Sequence, residues 1–221
     1  MSSSEKNPFA FPDSQVAGVY RAIQERRDMR HFRPGKIDAE ILHKLLDAAH
    51  HAPSVGLMQP WRFIRITSDP LRQKIYDLVQ EERLETAHAL GERESEFLRL
   101  KVEGIKQCGE LLIANLCDNR ERFIFGRRTL PEMDLASVAC AIQNLWLAAR
   151  AEGLGMGWVS IFDPVKLATL LHLPAGAKPI AIICLGYVDE FYTSPMLVEA
   201  GWAKERPLAE LMMENQWTDS V

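Results

Sequence analysis

The chain has 221 residues, of which 47% are hydrophobic and 25% charged, and its formal net charge is −4. That length suits one large domain that buries about seven tenths of its unfolded surface, and the composition excludes disordered, collagenous and disulfide-miniprotein classes. A net acidic chain lacks the basic face of a general nucleic-acid binder, and its longest apolar run, Ile180 to Leu185, is too short to cross a bilayer.

The opening MSSSEKNPFAFPDSQ has no basic patch followed by an apolar segment, so neither a signal nor a transit peptide is expected, and the protein is expected in the cytoplasm. A helical stretch containing Val16, Val19, Tyr20 and Ile23 leads into Arg26-Arg27-Asp28-Met29-Arg30. From Arg21 to Lys36, six Lys or Arg face two acids, a net +4 that leaves −8 on the other 205 residues. So local a concentration of positive charge suits a small anion better than a polymer. On a helical turn, Arg26 and Arg30 would share a face and could fork a phosphate; the plainer alternative is a surface charge run. Asp28 between them stays ionised, either as an ion-pair partner or as a general base.

Asp38 is placed to cap a helix toward His51, with Ile41, Leu42, Leu45, Leu46 and Ala49 on one face and Pro53 ending it. His50 and His51 then close that helix, where a cation suits the dipole. Ala52-Pro-Ser54-Val-Gly56-Leu57-Met58-Gln59-Pro-Trp61 forces an irregular loop, which reads either as a connector or as a set of backbone N–H groups free to meet a ligand. Strands are expected over Trp61 to Thr67, Leu111 to Leu116, Gly157 to Phe162 and Ile180 to Val188. Between Glu81 and Lys106, charged residues crowd a thin stripe of Leu98, Val102 and Ile105, either a solvated helix pair or a mobile cover over a site.

The clearest helix lies between Asp134 and Arg150, with Leu135, Val138, Ile142, Leu145 and Ala149 stepping by three and four and Gly153 placed to stop it. Ala139 and Trp146 widen its apolar stripe, so it is central to the core or packs on a second subunit. Gly153-Leu-Gly-Met-Gly-Trp-Val-Ser160 fits no dinucleotide or nucleotide-triphosphate loop, but its glycines permit close approach beside a flat ligand. Asp163-Pro164 starts a short helix that Pro174 closes, and Trp202-Ala-Lys204-Glu-Arg206-Pro-Leu adds two late cations. Cys108, Cys117, Cys140 and Cys184 are far apart and read as buried free thiols, with no metal site expected. Together these elements predict one α+β domain over residues 1–221, a small central mixed sheet covered by helices, with a lid excursion at 81–106.

R-R-x-x-R, then A-P-S with Q-P-W, then a long helix ending in G-L-G-x-G-W, then a late Arg-Pro-Leu: in that order these motifs resemble the FMN-dependent nitroreductase superfamily from about Val16 to Leu211. Asp28, where ordinary members usually carry Ser, and Ser160 in G-W-V-S resemble its 5,6-dimethylbenzimidazole synthase branch, the flavin destructases of cobalamin biosynthesis. Leu57 stands where many members have a flavin-bonding Asn. The resemblance implies a nitroreductase-like homodimer with FMN at the subunit interface. It also implies that FMN, delivered reduced by a separate flavin reductase, is the substrate and is fragmented with dioxygen to 5,6-dimethylbenzimidazole. By the same resemblance, Asp28 and Ser160 are catalytic, while Arg26, Arg27, Asp28, Met29, Arg30, Ser54, Met58, Gln59, Ser160 and Arg206 bind FMN. The alternatives are an NAD(P)H-dependent nitroreductase or flavin reductase that keeps its FMN, and a non-catalytic flavin-binding protein.

Overall fold

The computed structural model describes residues 7–217. Helix α1 (Asp13–Glu25) packs on the long helix α5 (Met133–Ala151) yet leaves Val19, Tyr20 and Ile23 exposed. Helix α2 (Ala39–His50) is capped as expected, its Asp38 carboxylate accepting from the Glu40 N–H at 2.8 Å, and it buries Leu42, Leu45 and Ala49 against α5. Strand β1 (Trp61–Arg65) precedes α3 (Asp69–Ala89) and the short α4 (Glu94–Arg99). Strand β2 (Glu110–Leu116), α5, β3 (Gly155–Val159), α6 (Pro164–Leu170), β4 (Lys178–Gly186) and α7 (Met196–Glu199) complete the order.

The four strands form one sheet in the order β1-β2-β4-β3, and every adjacent pair is antiparallel. The sheet is therefore not mixed; among the described residues, parallel pairing is confined to an isolated bridge between Asp28 and Met156. Residue alternation feeds two cores. Leu112, Ala114 and Leu116 point with Ala181, Ile183 and Leu185 toward α2 and α5, while Leu111 and Ile113 point with Ile182 and Cys184 toward α3 and α6. With helices on both faces, β2 is buried along its whole length, which is why its centre, Leu111 to Ala114, is an unbroken apolar run.

Helix α5 carries Val138, Ile142, Leu145 and Ala149 into the core at zero exposure, and Gly153 follows it with φ +74°. Leu135, expected on the same face, is exposed because it sits in the first turn, beyond the edge of the sheet core. Strand β3 starts two residues before the expected Gly157 and ends at Val159, since Gly155 and Met156 already pair with Gly186 and Leu185. Asp163 caps α6 through the Val165 and Lys166 N–H groups. Cys108, Cys117 and Cys184 are buried free thiols, but Cys140 lies on the outer face of α5 and is exposed.

Asp134, in the first turn of α5, holds a buried cluster that sequence separation hides. Its Oδ2 accepts from Arg120 Nε at 2.9 Å and Arg127 Nη2 at 3.0 Å, and Oδ1 accepts from the Leu135 N–H at 2.6 Å. Asp134→Ala would leave two guanidinium groups facing each other without their anion, so a loss of about 3–5 kcal/mol is expected. Urea unfolding at fixed protein concentration measures it, and a loss under about 1 kcal/mol would mean that the cluster is hydrated and adds little.

Candidate functional site

Helix α1 stops at Glu25, and Arg26, its C-cap, is already extended at φ −59°, ψ 132°. The Arg26–Arg30 segment is therefore not a helical turn, and the expected helical fork of Arg26 and Arg30 does not form. The segment instead runs along the free edge of β3, where the Met29 N–H donates to the Met156 carbonyl at 2.9 Å. Extended geometry alternates the side chains: Met29 goes into the core at 1% exposure, and Asp28 and Arg30 share the other side. Met29 can thus meet a ligand only through its main chain.

Gly155 and Gly157 make this docking possible. A Cβ on Gly157 would lie 2.3 Å from the Met29 carbonyl oxygen and 2.8 Å from Arg30 Nη1, and one on Gly155 would lie 2.5 Å from the Val188 side chain. The close approach expected beside a flat ligand is an approach to the chain's own Met29 and Arg30.

Beyond Met156, side chains take over from the ladder. The Trp158 N–H donates to Asp28 Oδ1 at 2.9 Å, Arg30 Nη2 donates to Asp28 Oδ2 at 2.6 Å, and the same Nη2 donates to the Trp158 carbonyl at 2.8 Å. The Arg30 side chain is 8% exposed, while Asp28 keeps 42% of its side-chain surface open. Surrounding protein pushes the Asp28 carboxyl above its ordinary range, against the pull of Arg30, the Trp158 N–H and Arg26.

Asp28 opens on a cleft of about 610 Å³ lined by Arg26, Arg27, Thr193, Ser194, Leu197 and Glu205 among others, within the usual range of small-molecule sites. Arg26 lies over the Trp146 ring, 4.4 Å from its centroid, and burial pulls its pKa below the usual value, Asp28 opposing and Arg27 adding to that effect. Trp146 also donates through Nε1 to the Arg27 carbonyl at 3.2 Å. Arg27 spends its Nη atoms on the carbonyls of Gln24, Arg26 and Thr193. Buried Nε of Arg27, and Nε and Nη1 of Arg30, have no acceptor among the described residues.

The remaining expected site residues lie elsewhere. Ser160 is exposed just past β3, and its hydroxyl makes no hydrogen bond to Asp28, whose two oxygens are taken by Trp158 and Arg30. The expected Ser160 orientation of Asp28 is therefore replaced by main-chain and guanidinium contacts. Arg206 pairs with Glu210 at 3.2 Å, and Glu205, not Arg206, reaches the Asp28 cleft.

The 54–59 loop spends four of the N–H groups that it was expected to offer. Val55 donates to Ser137 Oγ at 3.1 Å, Leu57 to the Ser54 carbonyl at 3.1 Å, Met58 to the Val55 carbonyl at 3.0 Å and Gln59 to Ser54 Oγ at 3.0 Å. Gly56, Leu57 and Gln59 all have left-handed φ, near +50°. Met58 is buried, and Leu57 is exposed. Because this loop is anchored to Ser137 and the Arg26–Arg30 segment to Trp146, the two lie roughly 13 Å apart along α5 in one chain.

The 81–106 excursion has a small core of its own, in which Ala87, Phe97 and Val102 pack with Leu90, Leu98, Leu100, Ile161 and Trp202. Arg93 stacks 3.5 Å from the Trp202 ring centroid and donates to its carbonyl at 3.1 Å. Ile105, assigned to the excursion's stripe, is fully buried in the main core. Sequence reasoning missed Phe97 and Trp202 as anchors, and also Trp158, whose main chain holds Asp28. Among the described residues, no three His, Cys, Asp or Glu side chains group to hold a metal ion, and no helix is long and apolar enough to cross a membrane.

Among curated proteins, the chain is 40% identical over 200 residues to the 5,6-dimethylbenzimidazole synthase of Rhodospirillum rubrum, covering 89% of this chain and 94% of that protein. It is 38% identical over 199 residues to the 5,6-dimethylbenzimidazole synthase of Rhodobacter capsulatus, covering 89% and 96%. Among solved structures, a BluB-like flavoprotein from Clostridium difficile superposes with a TM-score of 0.70 at 18% identity, over 90% of this chain and 99% of that one. The profile of the nitroreductase family matches residues 23–187, and with that span, these relatives and this architecture the chain belongs to the nitroreductase family.

Proposed function

We propose that the chain is a 5,6-dimethylbenzimidazole synthase that binds FMN in the Arg26–Asp28 cleft and makes the lower-ligand base of cobalamin. The observation that carries this reading is a carboxylate, Asp28, held at the mouth of a cation-lined cleft in a chain 40% identical to a protein of that name. The buried Nε–H of Arg27, a residue of the cleft wall, has no acceptor among the described residues and fits an anionic, acceptor-rich ligand such as FMN. When bound, reduced FMN supplies the ring that is consumed with dioxygen and becomes the benzimidazole.

The chain's own residues bind, shield and move protons. Arg26, fixed on Trp146, and Arg27 supply permanent positive charge for the phosphate. Asp28 takes protons from the reacting ring, and the exposed Ser160 hydroxyl, without a hydrogen bond among the described residues, orients that ring. The 81–106 excursion acts as a lid that excludes water, tethered at its tip by Trp202. The site is completed in a homodimer by the 54–59 loop of a second copy, and a separate flavin reductase supplies the reduced substrate.

Arg26→Ala is expected to weaken FMN binding about 10–150-fold, the worth of one charge-assisted contact, and riboflavin binding much less. Equal losses by fluorescence titration would place the phosphate elsewhere. The function itself is tested by mixing the protein with chemically reduced FMN and air and chromatographing the products. Permanent loss of flavin absorbance with a benzimidazole product is expected. Steady NAD(P)H oxidation with the flavin intact would return the chain to the nitroreductase reading.

A further inference from the structure

Arg30 differs from its neighbours Arg26 and Arg27 in lying beneath the cleft, not along it. Its side chain is 8% exposed and is absent from the cleft wall, whereas Arg26, Arg27 and Asp28 all line that wall. One nitrogen, Nη2, reaches two atoms at once, Asp28 Oδ2 at 2.6 Å and the Trp158 carbonyl at 2.8 Å. Asp28 Oδ1 in turn takes the Trp158 N–H at 2.9 Å. The ion pair thus occupies both main-chain groups of Trp158 at the open edge of β3, and both carboxylate oxygens are fixed by partners that cannot swing away. A phosphate reaching Arg30 would have to come down beside the Asp28 carboxylate, like charge against like.

We propose that Arg30 is a positioning residue that acts through Asp28, holding its carboxylate oriented and ionised toward the cleft, and is not a phosphate ligand. The proposal rests on the reading that Asp28 takes part in the reaction. Burial drives the Asp28 carboxyl toward protonation, and Arg30 is the foremost of the influences opposing it. The other charged groups facing the carboxylate are Arg26 and Arg27 on the same segment and Glu205 from the C-terminal segment across the cleft; β3 offers only the Trp158 main chain. With Arg30 gone, the Trp158 N–H and Arg26 are left to oppose burial.

The experiment compares Arg30→Gln and Arg30→Lys with the unmodified protein. In flavin-free protein, the Asp28 carboxyl is titrated by carbon NMR. Arg30→Gln is expected to move its midpoint alkaline by about 1–3 pH units, and Arg30→Lys by clearly less, because the charge remains. FMN and riboflavin should lose affinity by the same factor in both variants. In single-turnover reactions with reduced FMN and air, the acid limb of product yield should move in parallel with the NMR midpoint. An unmoved midpoint in Arg30→Gln overturns the proposal, as does an FMN loss at least about tenfold beyond that of riboflavin in either variant. If Arg30→Gln does not fold, the FMN-to-riboflavin comparison in Arg30→Lys decides, equal losses supporting the role and an FMN loss about tenfold beyond that of riboflavin overturning it. If the unmodified protein makes no benzimidazole, the synthase reading fails, while the flavin-free titration still decides whether Arg30 governs Asp28.

Discussion

Asp28→Asn is expected to leave FMN binding nearly unchanged and to cut benzimidazole formation by about 10²–10⁴, the usual worth of a positioned base. Asparagine keeps the size of the side chain, and its carbonyl oxygen can still accept the Trp158 N–H that Asp28 Oδ1 now accepts at 2.9 Å. It loses the charge that pairs with Arg30 and the basicity that takes a proton. If Asp28 is the base, its ionised carboxylate is the active form, and yield in the unmodified protein is expected above the Asp28 pKa and lost as pH falls through it. Because burial raises that pKa, the loss sets in at a higher pH than for an ordinary carboxylate, and the asparagine variant shows no such limb. Single-turnover yields across pH, followed by flavin absorbance and product chromatography, give both quantities. Wild-type yield from Asp28→Asn would remove the base assignment.

What could be read from the chain beforehand was what leaves a periodic or local trace. Asp38 and Asp163 each precede a helix whose first N–H groups they accept, and such caps depend on two or three neighbouring residues. Helix α5 announced itself through Val138, Ile142, Leu145 and Ala149 because one face of it meets the sheet. The Arg26–Arg30 segment left no such trace: charged side chains have no hydrophobic period, and what makes it extended is an edge of β3 about 130 residues away, opened by two glycines. The glycines were legible as close-approach positions, but the sequence does not say what approaches. Asp134 with Arg120 and Arg127 was equally silent, since ion pairs across an irregular loop follow no spacing. Asp28 was legible as a carboxylate among arginines, but its partners, Trp158 and Arg30, follow from tertiary geometry alone.

The largest recovery of activity is expected from mixing two inactive variants. In one chain, the cleft at Arg26–Asp28 contains no residue of the 54–59 loop, and the two are anchored toward opposite ends of α5. If one site is built from the cleft of one copy and the loop of the other, Asp28→Asn and a loop variant damage different halves. Gly56→Val suits the second role, because φ there is +53° and a Cβ would lie 3.0 Å from the Phe125 carbonyl oxygen, so a β-branched residue must distort the loop. Each variant alone would then make homodimers with two damaged sites. A mixed dimer has one site damaged twice and one site fully intact. Unfolding and refolding an equal mixture gives about half mixed dimers, so about a quarter of wild-type activity should return from two preparations that each have almost none. Exposed Val19, Tyr20 and Ile23 on α1, with Leu211, Met212 and Trp217 near the C-terminus, supply apolar surface for such a dimer. Sedimentation of a stable folded monomer, or a co-refolded mixture no more active than its parts, would mean that each chain builds its site alone.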